Sequence, residues 1–325
     1  MKKVAVIMGG YSSEYAISIE SGETVIEALA QSEYEVYKVL ILKDRWVAVV
    51  DGQEYAIDKN DFSFIQNGVK IKFDVVFNAI HGTPGEDGLM QGYFDLIGLK
   101  HSSSGFFESA LTFNKPKTNV VLEKVGVKIP KGIYHTENEE VNAERLKEEL
   151  GFPMFIKPAR SGSSYGVTRV NVVDEIEGAV VEARKEDSVV VAEAAVIGTE
   201  VGCGVARING KVQVLAITEI VSKNAFFDYQ AKYEGASDEI TPARIDNVVE
   251  KEIREISVMV YEQLGLSGVV RVDYIIEGKS NKPVFIEVNT VPGLSGASIV
   301  PQQVAHCKMS LKEFFTLLLE ESLNA

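Results

Sequence analysis

Apolar runs, and the spacing of polar residues between them, divide this chain into three stretches of different character. In the first, Val4–Met8 is the short unbroken apolar run that a strand buried on both faces needs, and Gly9-Gly10 ends it. A helical period follows from about Ser18 to Ala30. Further apolar runs stand at Val36–Leu42, Trp46–Val50 and Asp74–Ala79, and another helix begins near Asp87. Strands alternating with helices predict a parallel α/β sheet over the first ~100 residues. The middle stretch is α+β. Lys115-Pro116, after Ser109–Asn114, starts a helix through Val125. Val127–Tyr134 is extended and Glu139–Leu150 helical. Met154–Lys157, a glycine-serine loop, Val167–Val172, another helix and Val189–Ala195 follow. The last third pairs neighbours. Val201–Ile208 and Val212–Ile220 flank Asn209-Gly210, which favours a tight type I′ turn. Val248–Leu264 is an amphipathic helix, Val269–Ile276 and Pro283–Asn289 form a second hairpin, and Leu311, Phe314, Phe315 and Leu318 mark a closing helix.

The second hairpin carries the most chemistry. Arg271 and Asp273 are two apart on one strand, as are Glu287 and Asn289 on the next, so each pair shares a face. Val270, Val272, Tyr274, Ile286 and Val288 alternate with them and are expected to face a core. Two carboxylates and an amide oxygen are hard ligands suited to Mg²⁺, which takes a few protein oxygens and completes its shell with phosphate oxygens. A solvated sheet face is the plainer reading, but such faces carry Lys, Thr and Glu rather than this mixture.

Composition bounds the rest. The 325 residues are 46% hydrophobic and 25% charged, which is globular and leaves room for two or three domains. A formal charge of −14 argues against broad binding to nucleic acid or anionic membranes. Any phosphate-bearing substrate therefore requires positive charge gathered locally. Cys203 and Cys307 have no metal-ligand spacing and read as reduced, buried thiols. Val4–Met8 is too short for the core of a signal peptide, and no run approaches the ~18 apolar residues of a membrane span. The expected location is the cytoplasm.

Four further segments carry candidate chemistry. Ile156–Val167 delivers Lys157 from a strand into a loop of small residues, whose backbone N–H groups can approach a phosphate; in isolation it reads equally as a flexible turn. It is not a Walker A motif, because the lysine precedes the loop. His81–Gly88 follows strand Asp74–Ala79 at its carboxyl end, where open α/β sheets bind ligands. There His81 is a candidate for positioning a substrate and Asp87 a candidate helix cap. Phe226–Gly235 is aromatic-rich and lies between elements, either as a lid or as a packed surface loop. Glu287–Ser298 runs from the carboxylate strand into a Gly/Ser turn whose N–H groups suit an anion or oxyanion. Metal ligands, phosphate-binding lysines, a lid and an anion turn together fit phosphoryl transfer. Lys115, Lys157, Lys232, Arg271 and Mg²⁺ supply the local positive charge.

The order and wording of these motifs resemble the D-alanine–D-alanine ligases. The matching segments are Gly9–Glu14, His81–Gly92, Ser109–Lys115, Lys157–Gly166, Phe227–Tyr233, Arg271–Asp273 and Glu287–Ser298, in family order over nearly the whole chain. The resemblance implies a three-domain ATP-grasp fold of α/β and α+β parts. A Rossmann-like parallel-sheet domain (1–103) would hold the first D-alanine. A central domain (104–190) and a C-terminal domain with the Mg²⁺ site and lid (191–325) would enclose ATP. By that resemblance Lys115 and Lys157 contact ATP phosphates and Lys232 the γ-phosphate. Glu193 and the backbone of Ala195 and Val196 hold adenine, and Glu200 the ribose. Asp273, Glu287 and Asn289 bind two Mg²⁺, with Mn²⁺ as a substitute. Glu14 takes the ammonium of the first D-alanine and forms a triad with Ser163 and Tyr233, while His81 helps orient that substrate. Arg271 and the N–H of Gly293 stabilise a tetrahedral oxyanion. Ser298 and the N–H of Ile299 hold the second carboxylate.

Four positions depart from the family pattern. Phe113-Asn114 stands for Met-Asp, Ala194 for lysine and Phe227 for tyrosine, which touches nucleotide affinity and leaves the reaction class standing. The alternatives are a ligase using D-lactate or another small acid or amine second, against which Tyr233 speaks, and a non-catalytic ATP-binding protein on the same fold. The complete set of metal and phosphate ligands speaks against the latter. Dimers are common in similar enzymes, and no exposed helical stripe in this chain specifies one.

Overall fold

The computed structural model describes residues 1–137, 139–222 and 237–324. Three main sheets follow one another along the chain. In the first, Lys2–Gly9 lies at the centre, parallel to both Tyr34–Ile41 and Val75–Asn78, with Lys100–His101 beyond the latter. Val4 to Met8 are fully buried, as an apolar run without alternation demands. The other edge is antiparallel. Trp46–Val50 folds back on Tyr34–Ile41, and Gln53–Ala56 extends it, because the four residues Leu42–Arg45 are too few for a parallel crossover.

The second sheet orders Thr168–Val170, Met154–Pro158, Val190–Ala194 and Gly132–His135, all antiparallel. The third orders Ser237–Ile240, Lys211–Ser222, Gly198–Ile208, Val269–Glu277 and Lys282–Asn289, also antiparallel throughout. Both hairpins are where the sequence puts them, and Asn209 and Gly210 turn with positive φ (53° and 73°) as a type I′ turn requires. Helix Asn247–Gln263 starts at Asp246, whose carboxylate accepts the Val248 N–H at 2.8 Å. It packs Val249, Ile253, Val260 and Tyr261 onto the third sheet's inner face of Val270, Val272, Tyr274 and Phe285. The closing helix Leu311–Asn324 ties the two ends of the chain together. Its Phe314, Phe315, Leu318 and Leu319 share one core with Val4, Val6 and Met8.

Several expectations are corrected. Ile286 does not face the core. The register slips between Asp273 and Tyr274, so Glu287 opposes Asp273 while Phe285 opposes Tyr274; Phe285 fills the core and Ile286 turns outward beside Glu287. The helix expected from Glu139 begins at Ala143, where Asn142 accepts the Arg145 N–H at 2.9 Å. Gly88 (φ +91°) rather than Asp87 occupies the cap position of helix Leu89–Ile97, and Asp87 accepts the Leu89 N–H from one residue earlier. Cys203 is buried as expected, but Cys307 sits exposed just past the end of helix Ile299–His306. Both thiols are free. Among the described residues no helix is long and apolar enough to cross a membrane.

Candidate active site

Two concavities meet along the strands Val269–Glu277 and Lys282–Asn289. The larger, of about 270 Å³, lies between the second and third sheets. Lys115, Lys157, Glu193, Glu200, Asp273 and Glu287 line it together with Val196, and Ile275 and the outward-turned Ile286 give it an apolar wall. Its two lysines rest on carboxylates. Lys157 Nζ lies 2.6 Å from Glu193, Lys115 Nζ lies 3.3 Å from Glu287, and Lys115 also donates to the Ser161 carbonyl at 2.5 Å. Arg271 makes a two-pronged pair with Asp273 at 2.7 and 2.8 Å, and Asn289 donates to the same carboxylate at 3.0 Å. The four hairpin side chains thus converge as their two-residue spacing requires.

Two buried polar atoms of residues lining this cleft, Arg169 Nε and Glu193 Oε1, have no hydrogen-bond partner among the described residues. A buried polar atom left unmatched costs free energy, and here each faces a cleft that a polar ligand would fill. The donor set also fits a divalent cation, since Asp273 and Glu287 present hard oxygens that at present neutralise Arg271 and Lys115. Ala194 and Val196 line the cleft. The intervening Ala195 does not, and its N–H donates to the Pro153 carbonyl at 3.1 Å.

The smaller pocket, of about 200 Å³, holds Glu14, His81, Ser163, Arg271, Gly293 and Ser298, with Asn289 and Ile299 at its wall. Glu14 precedes helix Tyr15–Leu29, and its own N–H donates to Ser12, whose hydroxyl donates in turn to the His81 carbonyl at 3.0 Å. The Ser163 hydroxyl donates to Glu14. Ser163 and Ser164 reach this position in the left-handed region (φ 48° and 59°), a conformation that a side chain adopts only when its surroundings impose it. A Cβ at Gly162 would lie 2.5 Å from a Glu14 oxygen, so a side chain there would displace the Glu14 carboxylate. Gly293 is equally confined, with Ser298 Oγ 2.8 Å from where a Cβ would stand. The Ser298 hydroxyl bonds Ser295 at 2.8 Å rather than capping its helix.

Burial sets the protonation of the two deepest groups. Desolvation, opposed by the Val291 carbonyl and helped by Arg271, lowers the His81 pKa to about 4, so its ring is neutral at pH 7. Desolvation and then the charge of Glu14 push Glu86 well above the ordinary carboxylate range. Sequence reasoning passed over Glu86, Ser21, Glu239 and Arg169. Only Arg169 carried a signal, as a lone cation within the apolar run Val167–Val172. Lys232, Tyr233, Phe227 and the rest of the aromatic segment lie outside the described residues, so the third member of the expected Glu14–Ser163–Tyr233 triad does too. Of the departures, Asn114 has a local role, since its side chain accepts the Lys117 N–H at 3.3 Å and caps helix Lys115–Lys124.

Two antiparallel sheets closing on a cleft of lysines and carboxylates, with a parallel α/β sheet alongside, make up the ATP-grasp class of fold. Residues 3–104 match the D-ala D-ala ligase N-terminus and residues 121–320 the D-ala D-ala ligase C-terminus. The chain belongs to the D-alanine–D-alanine ligase family. It is 47% identical to a D-alanine–D-alanine ligase of Flavobacterium johnsoniae over 99% of this chain and 100% of the relative. To that of Bacteroides fragilis it is 39% identical over 98% of both. Among solved structures, the VanG D-Ala:D-Ser ligase of Enterococcus faecalis superposes with a TM-score of 0.87 at 32% identity over 98% of both chains. The D-alanine–D-alanine ligase of Bacillus anthracis complexed with ATP superposes with a TM-score of 0.77 at 26% identity, over 100% of this chain and 97% of that one.

Proposed function

We propose that this chain joins two D-alanines into D-alanyl-D-alanine, with conversion of ATP to ADP and phosphate, as a step toward peptidoglycan precursors in the cytoplasm. One observation carries the reading. Alternate residues of the same two strands line different pockets: Asp273 and Glu287 line the nucleotide cleft, Arg271 and Asn289 the smaller pocket. A carboxylate bound in the smaller pocket therefore lies at the border with the phosphate-binding cleft.

In this reading Glu14 receives the ammonium of the first D-alanine, with Ser163 and Tyr233 completing its hydrogen bonds and His81 fixing the surrounding loop. Lys115, Lys157 and Lys232 neutralise the triphosphate. Glu193 and the chain just past strand Val190–Ala194, at Val196, face the adenine, and Glu200 the ribose. The first carboxylate attacks the γ-phosphorus, the bond to ADP breaks, and an acyl phosphate forms. The second D-alanine, held by its carboxylate at Ser298 and the Ile299 N–H, attacks the acyl carbon with its neutral amine. Arg271 and the Gly293 N–H take the charge that grows on the carbonyl oxygen, and inorganic phosphate leaves. Asp273, Glu287 and Asn289 would hold two Mg²⁺, which supply charge neutralisation on the phosphates. The acyl phosphate must be kept from water, a part this reading gives to the aromatic segment near residues 222–240. We divide the chain into domains 1–103, 104–190 and 191–325. A homodimer belongs to the same reading, and light scattering on the purified chain tests it.

The test is turnover with ATP, Mg²⁺ and D-alanine, with L-alanine, D-serine and D-lactate in parallel. We expect equal amounts of ADP and D-alanyl-D-alanine, and no product from L-alanine. Preference for D-serine or D-lactate as the second substrate would move the specificity, and hydrolysis of ATP without any ligated product would overturn the assignment.

A further inference from the structure

The turn that carries Gly293 is gripped at both ends by the N-terminal domain, through the His81 loop and helix Tyr15–Leu29. His81 Nδ1 lies 2.8 Å from the Val291 carbonyl oxygen, and His81 Nε2 lies 2.9 Å from Ser21 Oγ. Ser21 Oγ in turn accepts the Leu294 N–H at 3.1 Å. All four residues are buried, with Ser21 at 0% exposure and His81 at 5%. Hydrogen-bond chemistry then fixes every proton. A carbonyl oxygen only accepts, so Nδ1 carries the imidazole proton. A neutral ring has only one N–H, so Nε2 accepts, and the Ser21 hydroxyl must donate to it while receiving Leu294. A charged ring would direct a second N–H at Ser21 Oγ, and desolvation opposes that charge. A parallel strut comes from Glu86, which accepts the Gly82 N–H at 3.1 Å and reaches the Val291 N–H at 3.5 Å.

We propose that Ser21, His81 and the main chain of Val291 and Leu294 form a closed, one-directional ring of hydrogen bonds that fixes the Gly293 N–H against the reacting carbonyl. Ser21 and His81 are then positioning residues. Both imidazole nitrogens are engaged by protein, so His81 acts through the turn. Ser21 sits on helix Tyr15–Leu29, which starts directly after Glu14. The ring therefore ties the element that binds the first ammonium to the element that receives the oxyanion. The inference rests on the oxyanion role proposed for Gly293.

Two measurements test it. In the intact wild-type enzyme, ¹⁵N-resolved imidazole NMR at pH 7 reads the tautomer; His81 is one of 4 histidines and is assigned by its loss in His81→Asn. We expect a neutral ring protonated at Nδ1, and a ring protonated at Nε2 or doubly charged would overturn the proposal. In kinetics, Ser21→Ala is expected to lower kcat by about tenfold or more, because a displaced oxyanion donor is felt in the transition state. The KM for ATP stays within about twofold, and Ser21→Thr recovers most of the loss. A Ser21→Ala enzyme with unchanged kcat, or a change confined to the KM for the first D-alanine, would refute a positioning role. Failure of the functional assignment itself looks different, since then the wild type makes no dipeptide at all.

Discussion

The nucleotide cleft and the smaller pocket solve the problem of buried polarity in opposite ways. In the cleft, charge is matched by charge. Lys157 rests on Glu193, Lys115 on Glu287 and Arg271 on Asp273, and two buried polar atoms have no partner among the described residues. Each of these pairs can exchange its partner when a triphosphate and divalent cations arrive, so the cleft is built to reorganise. Around the smaller pocket, side chains also anchor the main chain: Ser12 donates to the His81 carbonyl, His81 bonds the Val291 carbonyl and Ser21 accepts the Leu294 N–H. These main-chain anchors stay in place when a small zwitterion enters. The difference teaches how an acidic chain handles an anionic substrate. Positive charge is stored as internal ion pairs on the nucleotide side, while the acceptor geometry is formed in advance, which is where preorganisation has most effect on rate.

The sharpest break of this contrast is on the cleft side. Glu287→Ala removes a proposed metal ligand and the carboxylate partner of Lys115 together, and we expect kcat to fall about 10³-fold or more. A loss under tenfold in steady-state turnover would mean the carboxylates are structural ion-pair partners only. Next comes the pre-formed side. Gly293→Ala would place a methyl 2.8 Å from Ser298 Oγ, and we expect about a 10²-fold loss in kcat with ATP affinity unchanged by calorimetry. Weakened ATP binding would show that the two regions are not separable.

A smaller effect separates them by pH. The unfolded chain binds a proton at His81 near the ordinary value of 6.5, the folded chain only near 4. Protonation therefore favours unfolding. This stability is fully present above pH 6.5 and is lost as pH falls toward 4, with about 2 kcal/mol gone by pH 5. Urea midpoints at pH 7 and pH 5 should show a loss in the wild type that His81→Asn lacks; equal losses would contradict a buried neutral ring. The smallest expected effect is at Asn114, where Asn114→Ala should cost about 1 kcal/mol of stability through the lost cap and Asn114→Asp should not.

The hairpin Val269–Asn289 was legible because a period of two on adjacent strands needs only local sequence, and Arg271, Asp273, Glu287 and Asn289 meet as that period requires. The slip that turns Ile286 into the cleft was not legible, since one extra residue in a strand leaves the apolar content unchanged. His81 stood out as a loop residue, but its partners lie 60 and 210 positions away along the chain. No pattern in either segment announces the other. Glu86 looked like one acid in an acidic loop, and only burial distinguishes it. Asn114 read as a lost acid because its hydrogen bond to the backbone becomes visible only once the helix start is placed.

The central claim is that the first carboxylate is phosphorylated where the cleft meets the smaller pocket. Turnover with D-alanine labelled with ¹⁸O in its carboxylate tests it most directly. We expect one ¹⁸O from each labelled first substrate to appear in the released inorganic phosphate, because that oxygen bridges carbon and phosphorus before the amine attacks. Dipeptide formation with unlabelled phosphate would contradict an acyl-phosphate route and the account built on it.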